Sequence, residues 1–220
     1  MKVIVVSGSP RREKGYTNKI LAPFIEGMKE AGADVEIIYV ESMNIKPCLA
    51  DETCMDKTPG VCIDNDDMKN ILPKLSDAEL WVLATPVYYS NVTGQMKIFI
   101  DRMLPMGFAE TVIVDGHTAH LGRKTIDNRK VVLISTCGLY EMDNFDALLY
   151  YMKAFCRNTE SEFAGAVLRP HPWAVEVIPN DIIKASKDAG YQLITEGKML
   201  QKNLDTISRP LISLEEFIKL

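Results

Sequence analysis

No stretch of this chain approaches the roughly 20 consecutive apolar residues that a membrane-spanning helix needs. Basic tracts are missing too. The 25 lysines and arginines are outnumbered by 30 aspartates and glutamates, so the net charge is −5 and nucleic acid is a poor partner. The first residues show no charged segment leading into a short apolar core, so no secretory leader is expected and the cytoplasm is the expected compartment. Cysteine is scarce and odd in number, with five in 220 residues, which argues against a disulfide framework. What remains is 47% hydrophobic and 25% charged, ordinary for a soluble chain that buries one sizeable core.

The hydrophobic pattern alternates between two periods. Val3–Val6, Glu79–Ala84 and Lys130–Thr136 are near-continuous apolar runs, the mark of strands buried on both faces. Asp34–Val40 and Glu162–Leu168 add two more strands. Between them, Thr17–Ala31, Met68–Leu75, Thr93–Met103 and Asp143–Cys156 carry apolar residues at helical spacing. Asn180–Asn203 reads as one long amphipathic helix. Five strands alternating with helices predict an α/β fold: a flavodoxin-like, doubly wound parallel sheet with helices on both faces. Three segments exceed what that core needs: an irregular excursion at 43–65, a hairpin or flap at 104–129 built on a Val-Ile-Val core at 112–114, and a helical extension at 204–220. One domain over 1–220 is expected.

In such a sheet, ligands bind outside the C-terminal ends of the strands. Loops after Val6, Ala84 and Ser135 all fall on that edge. The first, Ser7-Gly8-Ser9-Pro10-Arg11, feeds a helix whose N–H groups and dipole favour an anion. Again the absences discriminate. G-x-G-x-x-G and G-K-[ST] are both missing, so a dinucleotide or a magnesium triphosphate fits less well than a monophosphate. No cysteine lies between Val3 and Asn18 to serve a phosphatase, and no acidic cluster follows the strand to accept a phosphoryl group. The second loop, Thr85-Pro86-Val87-Tyr88-Tyr89-Ser90-Asn91, offers aromatic walls and main-chain groups to a flat ring. The third holds Thr136, Cys137 and Gly138.

These residues together resemble a known family. GSPR followed by Tyr16-Thr17-Asn18, the spaced Cys48, Cys54 and Cys62, and the stretch ATPVYYSNVTGQMKIFIDR are similar to the NADPH-dependent FMN reductase and iron–sulfur flavoprotein family. The resemblance is strong over 1–103 and continues to about 170 by topology. It implies FMN as cofactor and NAD(P)H as co-substrate. It places Ser9, Arg11, Thr17 and Asn18 around the phosphate. Pro86, Val87, Tyr88, Tyr89 and Asn91 would line the ribityl and ring side, and Thr136, Cys137 and Gly138 would border the ring. It also implies a homodimer or homotetramer.

The cysteine window departs from the iron–sulfur members. Their motif is Cys-x2-Cys-x2-Cys with a fourth cysteine beyond; here Asp51 stands at the middle position. A cluster ordinarily needs four thiolates. The favoured reading is a loop of free cysteines, with Cys48, Cys54 and Cys62 as metal ligands, for a cluster or for zinc, kept as the alternative. His117 and His120 are read as flap surface, His171 as part of a rigid Pro turn, and Asp64, Asp66 and Asp67 as a helix cap. Asp101 and Arg102 are expected to pair with each other or a neighbour. Met96, Met103 and Met106 are expected core or interface. The expected activity is that of an FMN-dependent oxidoreductase passing electrons from NAD(P)H to a quinone, an azo or nitro compound, flavin or a protein. The alternative is an electron-transfer flavoprotein shuttling between protein partners.

Overall fold

In the computed structural model of the chain, residues 1–114, 116–124 and 126–220 are described. The apolar run of β1 (Lys2–Ser7) takes an interior place in the sheet, where both faces are covered. It pairs in parallel with β2 (Asp34–Tyr39) on one side and β3 (Leu80–Pro86) on the other. Beyond β3 come β6 (Lys130–Cys137) and β7 (Glu162–Pro170), so the order is β2-β1-β3-β6-β7, all parallel. This is the doubly wound, flavodoxin-like arrangement expected from the sequence.

The pleat splits the apolar residues between two cores. Val3 and Val5 point to one face, where they meet α1 (Tyr16–Glu30), α5 (Asn180–Glu196) and α6 (Gln201–Ser208). Ile4 and Val6 point to the other face, towards α2 (Met68–Asp77), α3 (Gly94–Asp101) and α4 (Asp146–Asn158). Ile20, Leu21, Phe24 and Met28 are the buried stripe of α1. α1 and α5 cross with backbones in contact. A Cβ on Gly27 would overlap the Lys187 carbonyl, and one on Gly190 would overlap the Phe24 carbonyl. Only glycine allows that approach.

Three expectations change. The helix expected over 180–203 is two helices, because Gly197 adopts φ 72° and ends α5 in a left-handed turn. The flap is a two-stranded hairpin, β4 (Gly107–Val114) with β5 (His117–Gly122). Its Val-Ile-Val segment is no core, since Ile113 and Val114 are exposed. Asp115 and Thr125 of the flap lie outside the described residues. The acidic cluster does more than cap α2. Asp66 receives both Nη atoms of the fully buried Arg102, at 2.6 and 3.1 Å, while Asp101 pairs with Lys97. The extension ends in a short helix, α7 (Leu214–Phe217), closed by a Ser213–Glu216 capping box. Among the described residues, no helix is long and apolar enough to cross a membrane.

Candidate functional site

The strand ends that carry the three loops are stitched together. Gly8 N–H donates to Ala84 O (2.7 Å), Val87 N–H to Thr136 O (2.7 Å), and the Thr93 hydroxyl to Gly8 O (2.8 Å). A Cβ on Gly8 would stand 2.8 Å from that of Met96, so the first loop needs glycine there to lie against α3. The Thr17 and Thr136 hydroxyls, both buried, share a hydrogen bond of 2.8 Å. Together these contacts frame a cleft of about 420 Å³ at the C-terminal edge of the sheet.

Nine of the sequence-selected residues line it: Ser9, Arg11, Thr17, Pro86, Val87, Tyr88, Thr136, Cys137 and Gly138. Three do not. The Asn18 amide turns back to the Glu13 carbonyl (3.1 Å). The Asn91 side chain accepts from Val92 N–H (2.8 Å), inside the tight turn that Tyr88 and Asn91 close. Tyr89 has φ 46° and stands wholly in solvent. Such one-residue differences follow from turn geometry, which decides which way each side chain leaves the loop.

One end of the cleft is built for an anion. α1 begins without a side-chain cap, so its first N–H groups are left free of one. A Cβ on Gly15 would overlap the Ser9 hydroxyl, so the backbone there comes as close as a small cradle requires. Arg12 is tied to Glu41, whereas Arg11 is exposed and makes no ion pair among the described residues. The opposite end is apolar and aromatic, with Tyr88 and Trp173 in its walls. Burial pushes the Cys137 thiol up, and its sulfur lies 3.4 Å from Leu139 O, so it is a neutral donor and no nucleophile. Among the described residues, no carboxylate or histidine lines the cleft. The cradle, the unpaired arginine and the flat aromatic end fit a flavin mononucleotide.

Trp173, Pro172 and Tyr16 line the cleft without having been selected from sequence. The signal for Trp173 was its place: RPHPW ends β7 and turns away from it, so it opens a fourth loop on the same edge. Two roomier cavities lie elsewhere, about 460 Å³ under the β4–β5 hairpin and about 600 Å³ between the excursion and α2. The first mixes Met103, Met106 and Phe155 with polar and charged side chains such as Asp101, His120 and Lys124, and neither lies at the C-terminal strand ends.

The cysteine window is organised by an arginine. Arg102 donates to the Cys62 sulfur (3.3 Å) and to Lys46 O (2.7 Å) while pairing with Asp66. Cys48 is exposed, Cys54 buried and Cys62 half-buried, and all are free. Asp51 accepts from Thr53 N–H (2.9 Å) in its own turn. Among the described residues, no three His, Cys, Asp or Glu side chains are grouped as a metal needs. Cys48, Cys54 and Cys62 with Asp51 are one thiolate short of the four that a cluster ordinarily takes.

Comparison with known proteins bears on the family and the fold. The sequence model for NADPH-dependent FMN reductases matches residues 1–147. An iron–sulfur flavoprotein of Archaeoglobus fulgidus is 39% identical over 112 residues, which cover 51% of this chain and 50% of that protein. The match therefore spans about half the length of that relative. A second iron–sulfur flavoprotein of the same organism is 24% identical over 100% of this chain and 98% of its own. Among solved structures, an FMN-dependent NADH-azoreductase of Bacillus anthracis, in complex with FMN, has a TM-score of 0.66 at 15% identity, covering 89% of this chain and 98% of that one. That likeness is one of fold.

Proposed function

Because the chain belongs to the family of NADPH-dependent FMN reductases, we propose that it is an FMN-dependent oxidoreductase taking electrons from NAD(P)H and passing them to a small-molecule acceptor. The observation that carries this reading is the cleft itself, with an anion cradle at one end and aromatic walls at the other. When bound, FMN would supply the redox chemistry, hydride uptake from a nicotinamide and electron delivery to an acceptor.

The residues of this chain bind and orient. Ser9, Arg11 and Thr17, with the first N–H groups of α1, hold the phosphate. Pro86, Val87 and Tyr88 lie along the ribityl and ring side. Thr136, Cys137 and Gly138 border the ring, and the neutral Cys137 thiol adds no charge there. Asn18 acts at one remove, by bracing the Glu13 turn of the phosphate loop. Quinones and azo compounds are the favoured acceptor classes, since a flat conjugated acceptor suits an aromatic-walled cleft. An intact four-cysteine motif would have favoured the shuttle alternative, and Asp51 in the middle position weakens it. The exposed Phe108, Ile113 and Leu121 of the hairpin support self-association.

The test is NADPH and NADH oxidation by FMN-loaded protein with a quinone or an azo dye. Turnover with either nucleotide supports the reading; flavin-loaded protein inert to both overturns it. Sedimentation of the same sample as a monomer would remove the self-association.

A further inference from the structure

The C-terminal extension reaches the cleft through a chain of aromatic contacts. Phe217, on α7, places its ring 5.5 Å from Trp173, 5.5 Å from His171 and 5.4 Å from Tyr140. His171 is fully buried in a left-handed turn (φ 36°), with its ring stacked on Tyr140 at 4.7 Å. The extension is tied down along its length. Arg169, itself fully buried, donates to Ile207 O (2.5 Å) and Arg209 O (2.6 Å). The His171 Nε2 accepts from Leu211 N–H (3.2 Å), and the Tyr140 hydroxyl donates to Ile212 O (3.2 Å).

Trp173 is the member of this cluster that lines the cleft. Its indole N–H donates to Gly138 O (2.8 Å), in the loop assigned to the ring border. It is 40% exposed, so a single hydrogen bond and the Phe217 contact fix it while one side stays open. An exposed indole left unanchored has several rotamers, and holding one of them is what makes an aromatic wall useful.

We propose that Trp173 is a wall residue of the flavin site and that Phe217 is the residue that positions it, so that the last helix of the chain is part of the cofactor site. This rests on the reading of the cleft as an FMN site. Trp173 contacts the flavin nucleus, not the phosphate, because its anchor is the Gly138 loop and not the α1 terminus.

The test titrates apo-protein with FMN and, separately, with riboflavin, following flavin fluorescence, for wild type, Trp173→Ala, Phe217→Ala and the double variant. Each single change should weaken both flavins alike by roughly three- to tenfold, the range of one aromatic contact. The double variant should bind no more weakly than Trp173→Ala alone, since Phe217 acts through Trp173. Phe217→Tyr should restore binding, and Phe217→Leu, which keeps an apolar cap on the fold, should not. Wild-type affinity in Phe217→Ala, fully additive losses, or a loss confined to FMN would each overturn the proposal. Failure of the wild type to bind either flavin would instead refute the cofactor reading on which it stands.

Discussion

The Thr17 hydroxyl of α1 and the Thr136 hydroxyl of β6 meet at 2.8 Å, both buried, where the first and third loops converge. Residues 119 positions apart thereby share one polar contact at the floor of the cleft. Removing one partner strands the other. Thr17→Val should destabilise the apo-protein by about 1–3 kcal/mol, while Thr17→Val with Thr136→Val should recover much of that. Urea denaturation of the four species measures it, and single-variant losses that simply add in the double variant would disprove the coupling.

Arg11 is the cation that the phosphate end keeps free of ion pairs among the described residues. Arg11→Ala should cost about 1.5–3 kcal/mol of FMN affinity, as a charge-assisted hydrogen bond does, and leave riboflavin affinity unchanged. Equal losses for the two flavins would place Arg11 elsewhere.

Gly15 has no room for a methyl group beside Ser9. Gly15→Ala should distort the cradle at a cost of about 1–3 kcal/mol, the usual cost of overpacking. The loss should appear in FMN binding more than in thermal stability. A variant that binds FMN normally would show that the loop yields freely.

Burial tends to push the Asp66 carboxyl up, but hydrogen bonds from Arg102 and from Lys46 and Met68 N–H, with the guanidinium charge, hold it below the usual range. A depressed folded value means stability that is present above the unfolded pKa and lost as pH falls through the folded one. The wild type should therefore lose stability below about pH 4. Asp66→Asn should flatten that acid limb. It should also cost about 3–5 kcal/mol at pH 7 by leaving Arg102 buried and unpaired. Urea midpoints between pH 2 and 7 decide the matter.

Thiol reactivity should follow burial. Cys48 is exposed, whereas burial pushes the Cys137 thiol up and that of Cys156 to about 12. Iodoacetamide at pH 8, read by mass spectrometry, should label Cys48 first and leave Cys137 and Cys156 untouched in folded protein. Equal labelling of Cys48 and Cys156 would contradict the packing around α4.

The parallel sheet was legible because β1, β3 and β6 are buried on both faces and cannot hide that in an alternating pattern. Their loops then had to share one edge, while the nine individual residues on them that line the cleft came from the family resemblance. Periodicity reports a face and not a partner, so the pairing of Arg102 with Asp66 stayed invisible. The 112–114 segment misled for the same reason: three branched apolar residues look like a core until the strand is found in a hairpin standing off the sheet. Trp173 was passed over because its turn was read for its prolines, and its role depends on an aromatic ring 44 residues further on.

The close crossing of α1 and α5 gives the cleft two unlike halves. The helix that starts at the proposed phosphate cradle is seated backbone against backbone, at Gly27 and Gly190, and cannot shift without a clash. The ring side is made of turns, at Tyr88–Asn91 and beyond Cys137, that hang from strand ends. A ligand gripped here is moored at one end and fitted at the other. Substrate preference in such a protein can be rewritten in its turns while the mooring stays unchanged.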